Sequence, residues 1–226
     1  ALPILALWVA APLIALVLSR PVPSLRPEIT DEDRDYLRLI AEKTWSYFDT
    51  FVTEEHQYLP PDNVQFDPEP RVAHRTSPTN IAMSLLATLS AHDLGFIDTE
   101  SLLDRLERTV ATLDRLEHFE GHLLNWYDTR TLEPLLPKYV STVDSGNLAG
   151  ALLALAVGLR TLAKHEGTAA PQAARLASLA ARASSYFDDM NFSFLYDRRR
   201  RLFAIGFRLA DSLGANERDT IMPVVP

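Results

Sequence analysis

The sequence predicts an all-α protein: an apolar N-terminal helix of transmembrane length, then antiparallel helical hairpins, with a short β-hairpin near the C-terminus. Three observations carry this. Residues 1 to 19 run without a charge until Arg20, about the length needed to cross a hydrocarbon core. Leu and Ala then recur at helical spacing in five successive segments. The connections alternate in length, long before the second and fourth of these segments and short before the third and fifth.

The apolar run has neither an initial Met nor a basic segment ahead of it, so it reads as the last span of a longer polypeptide rather than as a cleaved signal. A buried core helix is the competing reading. Pro3 and Pro12 favour it, although membrane helices tolerate both. Arg20, Arg26, Arg34 and Arg38 follow the run, and by the positive-inside rule they put the remainder on the cytoplasmic side. Residues 20–30, with Pro21, Pro23 and Pro27, read as a stiff Pro-rich linker.

The soluble part opens with a helix near Thr30. Asp33 is placed to close a capping box, and Leu37, Ile40, Ala41, Trp45 and Phe48 form an apolar face wide enough to be core. A long loop follows from Thr53 to Thr76. The second helix begins with Ser77 as N-cap and Pro78 in its first turn, and it ends near Gly95. After Asp98 the third carries Leu102, Leu103, Leu106, Val110, Leu113 and Leu116 on one side. The fourth starts near Asp144, with Asp144 or Ser145 as N-cap, and the fifth runs through about Asp189. The segment "FSFLYDRRRRLFAIGF" reads as a β-hairpin around its Asp-Arg turn.

In an array of antiparallel hairpins the alternation puts both long loops at one pole, a natural place for a ligand surface. The second loop is "NWYDTRTLEPLLPKYVSTVDSGN", unusual in a chain dominated by Leu and Ala. Trp126 and Tyr127 beside Asn125 and Asp128 suit a saccharide, which offers a flat apolar face and many hydroxyls. Loop aromatics more often pack as a lid. Asp144 either faces a ligand or does nothing but cap its helix. The first loop and the helix it enters add Asp62, Asn63, Gln65, Asp67, His74, Arg75, Thr79 and Asn80, and acids near prolines are usually solvated turn residues.

Several chemistries are excluded. The 22 Lys and Arg stand against 30 Asp and Glu, a formal net charge of −8, which does not suit a nucleic-acid partner. Cysteine is absent, so there is no thiolate ligand, disulfide or Cys nucleophile. The six His residues form no HExxH motif, and neither a metal nor a cofactor is expected. A phosphate loop, a dinucleotide fingerprint and a G-x-S-x-G elbow are all missing from the sequence.

The motifs "LPPDN" at Leu59, "VAHRTSPTNI" at Val72, "NWYDTRTLEPL" at Asn125, "YVSTVDSGNLAG" at Tyr139 and "FLYDRRRRLFAIGF" at Phe194 identify a family likeness. The chain resembles, to about residue 210, the region of bacterial cyclic β-1,2-glucan synthases that follows their membrane-embedded glycosyltransferase part. The resemblance implies a partial glucoamylase-like α/α toroid over residues 31–210, followed by a divergent tail at 211–226. It implies a fragment of a transglycosylating, ring-closing domain that is inactive alone, its catalytic residues unknown and its catalytic glutamates outside this chain. Asn80, Asn125, Trp126, Tyr127, Asp128, Asp144, Ser145 and Asn147 are the expected substrate-binding wall. The implied partners are a β-1,2-glucan chain, the membrane and the remainder of a synthase polypeptide, at the bacterial inner membrane with the soluble part cytoplasmic. The sequence departs from the family at Ala82, Ser84, Leu123, Leu124 and Ala151. A non-catalytic membrane-anchored glucan-binding subunit and a helical protein-interaction module are the alternatives.

Overall fold

A computed structural model describes residues 2–19, 29–210 and 220–222. The chain divides into two units, Ala1–Leu39 and Ile40–Pro226. In the first, the apolar run forms α1 (Leu2–Leu18), a 17-residue helix containing Pro12. At about 1.5 Å per residue it reaches about 26 Å, just short of a hydrocarbon core of about 30 Å. Within its own unit its side chains are exposed nearly throughout, with Trp8 at 77% and Val9 at 81%. Most of the Pro-rich linker lies outside the described residues, as do 211–219 and 223–226 of the expected tail.

The next helix, α2 (Asp31–Phe51), starts where the capping box requires. The Thr30 amide donates to Asp33 Oδ2 at 3.0 Å and the Asp33 amide donates to Thr30 Oγ1 at 3.1 Å. The expected wide core face is corrected: Trp45 is the one buried residue of this helix, while Leu37 and Ile40 are 56% and 45% exposed. The spacing identified a helix but could not show how far along it a neighbour extends.

The first long loop contains a 3₁₀ turn at Glu54–His56 and three short strands, β1 (Val64–Gln65), β2 (Arg71–Val72) and β3 (Arg75–Thr76). Helix α3 (Pro78–Asp93) follows, its N-cap Ser77 accepting from the Asn80 amide. A short turn through Gly95, at φ +72°, leads to α4 (Thr99–Leu113), capped by Asp98. The second long loop holds β4 (His118–Phe119), β5 (His122–Leu123), β6 (Tyr127–Asp128) and β7 (Tyr139–Ser141). Helices α5 (Thr142–Ala163) and α6 (Ala170–Asp189) then form a second hairpin. The chain continues into β8 (Tyr196–Asp197), β9 (Leu202–Phe203), β10 (Gly206–Arg208) and β11 (Thr220–Met222). The pair β8 and β9 is the expected hairpin, and the Arg199 and Arg200 amides donate to Asp197 in its turn.

The fold is mostly helical with small sheets, in keeping with the all-α expectation for the helices but with more pairing than the one short hairpin it included. Strands of two or three residues are too short to display an alternating pattern, which is why the sequence concealed them. They matter because they tie distant segments together: β3 pairs with β6, and β10 pairs with both β7 and β11. Residues 220–222 of the expected tail thus belong to a sheet. Gly206 permits the approach of β10 to β7, since a Cβ there would lie 2.4 Å from the Val140 carbonyl oxygen.

Helix α5 packs on α3 and α6, and α4 packs on α3 and α6. The core they share includes Leu85, Leu102, Leu106, Leu155, Leu159 and Leu176, all nearly sealed from solvent. By length and composition alone α5 could cross a membrane, but Leu148, Leu152, Leu155, Ala156 and Leu159 are buried within this bundle. The family-departing residues Ala82, Ser84, Leu123, Leu124 and Ala151 are buried here too.

Candidate functional site

The two long loops meet at the N-terminal ends of α3 and α5. The antiparallel pairing of β3 with β6 aligns Thr76 with Tyr127 and Arg75 with Asp128. Its consequence is that Arg75 lays its guanidinium over the Trp126 ring, Cζ 4.6 Å from the centroid. Arg75 also donates through Nε and Nη2 to Asp62 Oδ2, at 3.1 and 2.9 Å. Asp62 Oδ1 in turn accepts from Asn80 Nδ2 at 3.3 Å. Thus Asn80, in the first turn of α3, and Trp126, in the second long loop, are joined by three successive contacts through Asp62 and Arg75.

A second set of bonds joins the helix starts. Thr79 Oγ1 donates to Asp144 Oδ1 at 2.5 Å, and Asn147 Nδ2 donates to Thr79 Oγ1 at 3.0 Å. With its amide oriented to satisfy both ends, Asn125 donates to Asp144 Oδ2 at 3.2 Å and accepts from Trp126 Nε1 at 2.6 Å and from the Tyr139 hydroxyl. Burial, and then the Asp144 charge, push the Tyr139 phenol above its ordinary value, so it stays a donor at neutral pH.

Asp144 is not the N-cap. Ser141 takes that position, accepting from the Asp144 amide at 3.3 Å, and so the helix begins earlier than the sequence suggested. The Asp144 carboxylate is thereby released for Thr79 and Asn125. Asp128 has the opposite fate. Its Oδ1 accepts from the Arg130 and Thr131 amides at 2.8 and 3.0 Å, closing a local turn. Burial works to raise its pKa, but these amides, with nearby Arg130, hold it below the ordinary carboxylate value.

Three expected wall residues are buried: Asn125, 5% exposed and bonded to Asp144 and Trp126, and also Tyr127 and Ser145. Tyr127 is fully buried, its hydroxyl donating to the Glu117 carbonyl at 2.5 Å and accepting from the Leu124 amide at 2.6 Å. Burial pushes its phenol far above the ordinary range. Trp126 directly precedes β6 and is half-buried, while Tyr127 opens that strand and is sealed in the core, a split expected of neighbours along extended chain. Ser145 is 1% exposed and meets His122 Nδ1 at 2.9 Å. The Tyr127 and Ser145 side chains are thus engaged in packing and internal hydrogen bonds.

Asn80, Asn125, Trp126, Asp144 and Asn147 therefore come together, with Asp128 at the edge of the same strand pair. Asp62, Arg75 and Thr79, expected only as polar residues near the first loop, join them, as does Tyr139. Asp62 and Arg75 were read as ordinary loop polars, and only the strand pairing reveals their position. Thr79 could have been found by its spacing, since it sits in the first turn of α3 as Asp144 sits in that of α5.

Against known proteins, the family described as "Protein of unknown function (DUF3131)" matches residues 39–158. The cyclic β-(1,2)-glucan synthase NdvB of Rhizobium meliloti (strain 1021) is 48% identical over 155 residues, 68% of this chain and 6% of that protein. The motif resemblance is thereby borne out. Among solved structures, a putative glucoamylase from Bacteroides fragilis superposes with a TM-score of 0.61 at 19% identity, over 81% of this chain and 42% of its own. An endo-β-1,2-glucanase from Chitinophaga pinensis, in complex with sophorotriose and glucose, gives 0.57 at 19% identity over 76% of this chain and 40% of its own. A β-1,2-glucanase from Parabacteroides distasonis gives 0.58 at 15% identity over 74% and 22%. At these identities the likeness establishes a glucoamylase-like fold. The chain spans less than half the length of each.

Proposed function

The chain belongs to the DUF3131 family, and from that premise we propose that it is a glucan-processing segment of the cyclic β-1,2-glucan synthase type, supplying one wall of a glucan cleft. The wall comprises Asn80, Asn125, Trp126, Asp144 and Asn147, held by Asp62, Arg75, Thr79 and Tyr139. Asp128 shapes its edge. The observation that carries the reading is the joining of the two long loops through the Arg75, Trp126 and Asp62 contacts.

The chemistry fits the ligand. Glucan residues present hydroxyls in every direction and a weakly apolar ring face. Carboxylates and amides on a fixed scaffold accept and donate to those hydroxyls, and an indole edge or face covers the ring. Glycosyl transfer itself requires two carboxyl groups, about 5 Å apart for retention and wider for inversion. Asp62, Asp128 and Asp144 are committed to neighbours in this wall, so the chain's part is to bind and orient glucan. The reacting carboxylates come from the remainder of the synthase polypeptide, and the wall is one arc of an α/α toroid.

Membrane attachment through α1 is part of the same proposal, supported by the length and apolar composition of that helix. By the positive-inside rule the arginines after it support a cytoplasmic position for the glucan wall at the inner membrane. Isothermal titration of the detergent-solubilised chain with linear β-1,2-glucooligosaccharides tests the proposal. Saturable heat that is absent with β-1,4-linked oligosaccharides of equal length supports it. Absence of heat with both would favour a helical protein-interaction module instead.

A further inference from the structure

Apart from the glucan wall, the first long loop folds a second set of donors together. His56 lies in the 3₁₀ turn and His74 immediately precedes β3, yet their rings stack with centroids 5.1 Å apart. One ligand atom from each of Glu55, His56 and His74 lies within 4.8 Å of the other two. His56 is 3% exposed, and its Nδ1 meets Thr129 Oγ1 at 2.8 Å. His74 Nδ1 is sealed from solvent with no hydrogen-bond partner.

We propose that Glu55, His56 and His74 form a site for a divalent transition-metal ion, zinc being the best match, that clips the two ends of the first long loop together. Two imidazoles and one carboxylate are a donor set that zinc takes with an open fourth position. At bond lengths of about 2.0–2.2 Å the ligand atoms of such a site lie about 3.4 Å apart. The ligand atoms now lie within 4.8 Å of one another, so binding draws them together by up to about 1.4 Å, and Glu55, being exposed, can swing in.

The surroundings supply what a metal site needs beyond its ligands. When His56 Nδ1 donates to the Thr129 hydroxyl, the Nε2 lone pair is the one left for a metal, and the ring orientation is fixed. The Thr129 amide donates to the His74 carbonyl oxygen at 3.1 Å, tying the same residue to the second histidine. A metal bond to His74 would also give that side chain a polar partner, which its sealed nitrogen lacks. Thr129 follows β6 and His74 precedes β3, so the clip would sit directly behind the strand pair that carries Arg75 and Trp126. Motif searching missed it because the two histidines are separated by a loop rather than by one helical turn.

The test uses the full chain, with any affinity tag removed, stripped with EDTA and titrated with zinc sulfate by calorimetry and with cobalt(II) by visible absorption. One equivalent of zinc and a low-symmetry cobalt spectrum are expected. Glu55→Gln, a surface change that leaves the fold intact, weakens zinc at least about tenfold. His74→Ala and His56→Ala abolish the cobalt spectrum, with circular dichroism confirming that each variant is folded. His165→Ala, an exposed histidine elsewhere, changes nothing. Lack of zinc binding, or binding that survives in Glu55→Gln and His74→Ala with unchanged stoichiometry and affinity, overturns the proposal. The readout is metal binding itself, so it stands or falls independently of glucan binding.

Discussion

Thr79 Oγ1 donates to Asp144 Oδ1 across 2.5 Å, joining the first turn of α3 to the first turn of α5. The two residues are 65 positions apart, and their bond fixes the spacing of the helices from which the wall projects. Thr79→Val keeps the shape and removes the donor. A hydrogen bond to a charged acceptor contributes about 1.5–3 kcal/mol, less where water reaches it, so urea unfolding should show a loss of about 1–2 kcal/mol. Glucan affinity should fall as well, because Asn147 loses the same oxygen as an acceptor.

Trp126 is the half-buried aromatic of the wall, and its Nε1 is held by Asn125. Trp126→Ala is expected to weaken glucan binding by about 1–2 kcal/mol, the scale of a lost aromatic contact, with little change in the unfolding midpoint. Arg75→Lys keeps the charge but not the planar stack or the two-point contact to Asp62, and it should cost part of the same affinity.

Tyr127 makes the contrasting prediction. Tyr127→Phe leaves the Glu117 carbonyl and the Leu124 amide short of a buried partner, which costs about 1–3 kcal/mol of stability in denaturant titration. Glucan affinity of the folded variant should remain within about twofold, since the ring packs inward. A large affinity loss with intact stability would return Tyr127 to the wall.

His122 gives the fold a pH dependence. Burial pushes its imidazole below the ordinary value, while the Asn191 backbone and Glu120 partly oppose this. On acidification the unfolded chain takes the proton first, near its ordinary pKa of about 6.5. Stability is therefore complete above that value and is lost as pH falls through it towards the folded-state pKa. Thermal melts should drop steadily from about pH 7 to about pH 5. His122→Gln should flatten part of that slope. His56 and His118, also shifted down by burial, keep the rest.

The helices were legible from residues alone because apolar spacing, the Thr30 and Asp33 box, Ser77 with Pro78 and the Asp98 cap all act locally. That the two long loops share one pole was legible from their lengths, and Asn80 and Trp126 are joined there through Asp62 and Arg75. What the sequence hid depends on pairing between distant segments. The pairing of β3 with β6 leaves Trp126 half-buried and Tyr127 sealed, and neither strand is long enough to announce itself. The true N-cap was hidden by competition among Ser141, Thr142, Asp144 and Ser145, all chemically able to serve. The histidine pair was hidden for the same reason as the strands: His56 and His74 become neighbours only once the loop closes.

The most direct test of the glucan wall follows the indole N–H resonance of Trp126 in the ¹⁵N-labelled chain, which has Trp8 and Trp45 as internal references. Titration with linear β-1,2-glucooligosaccharides should move the Trp126 signal saturably and leave the other two in place, with the shift reduced in Asp144→Ala. An unmoved Trp126 signal at saturating glucan, or an equal shift in Asp144→Ala, would contradict a saccharide wall built from both loops.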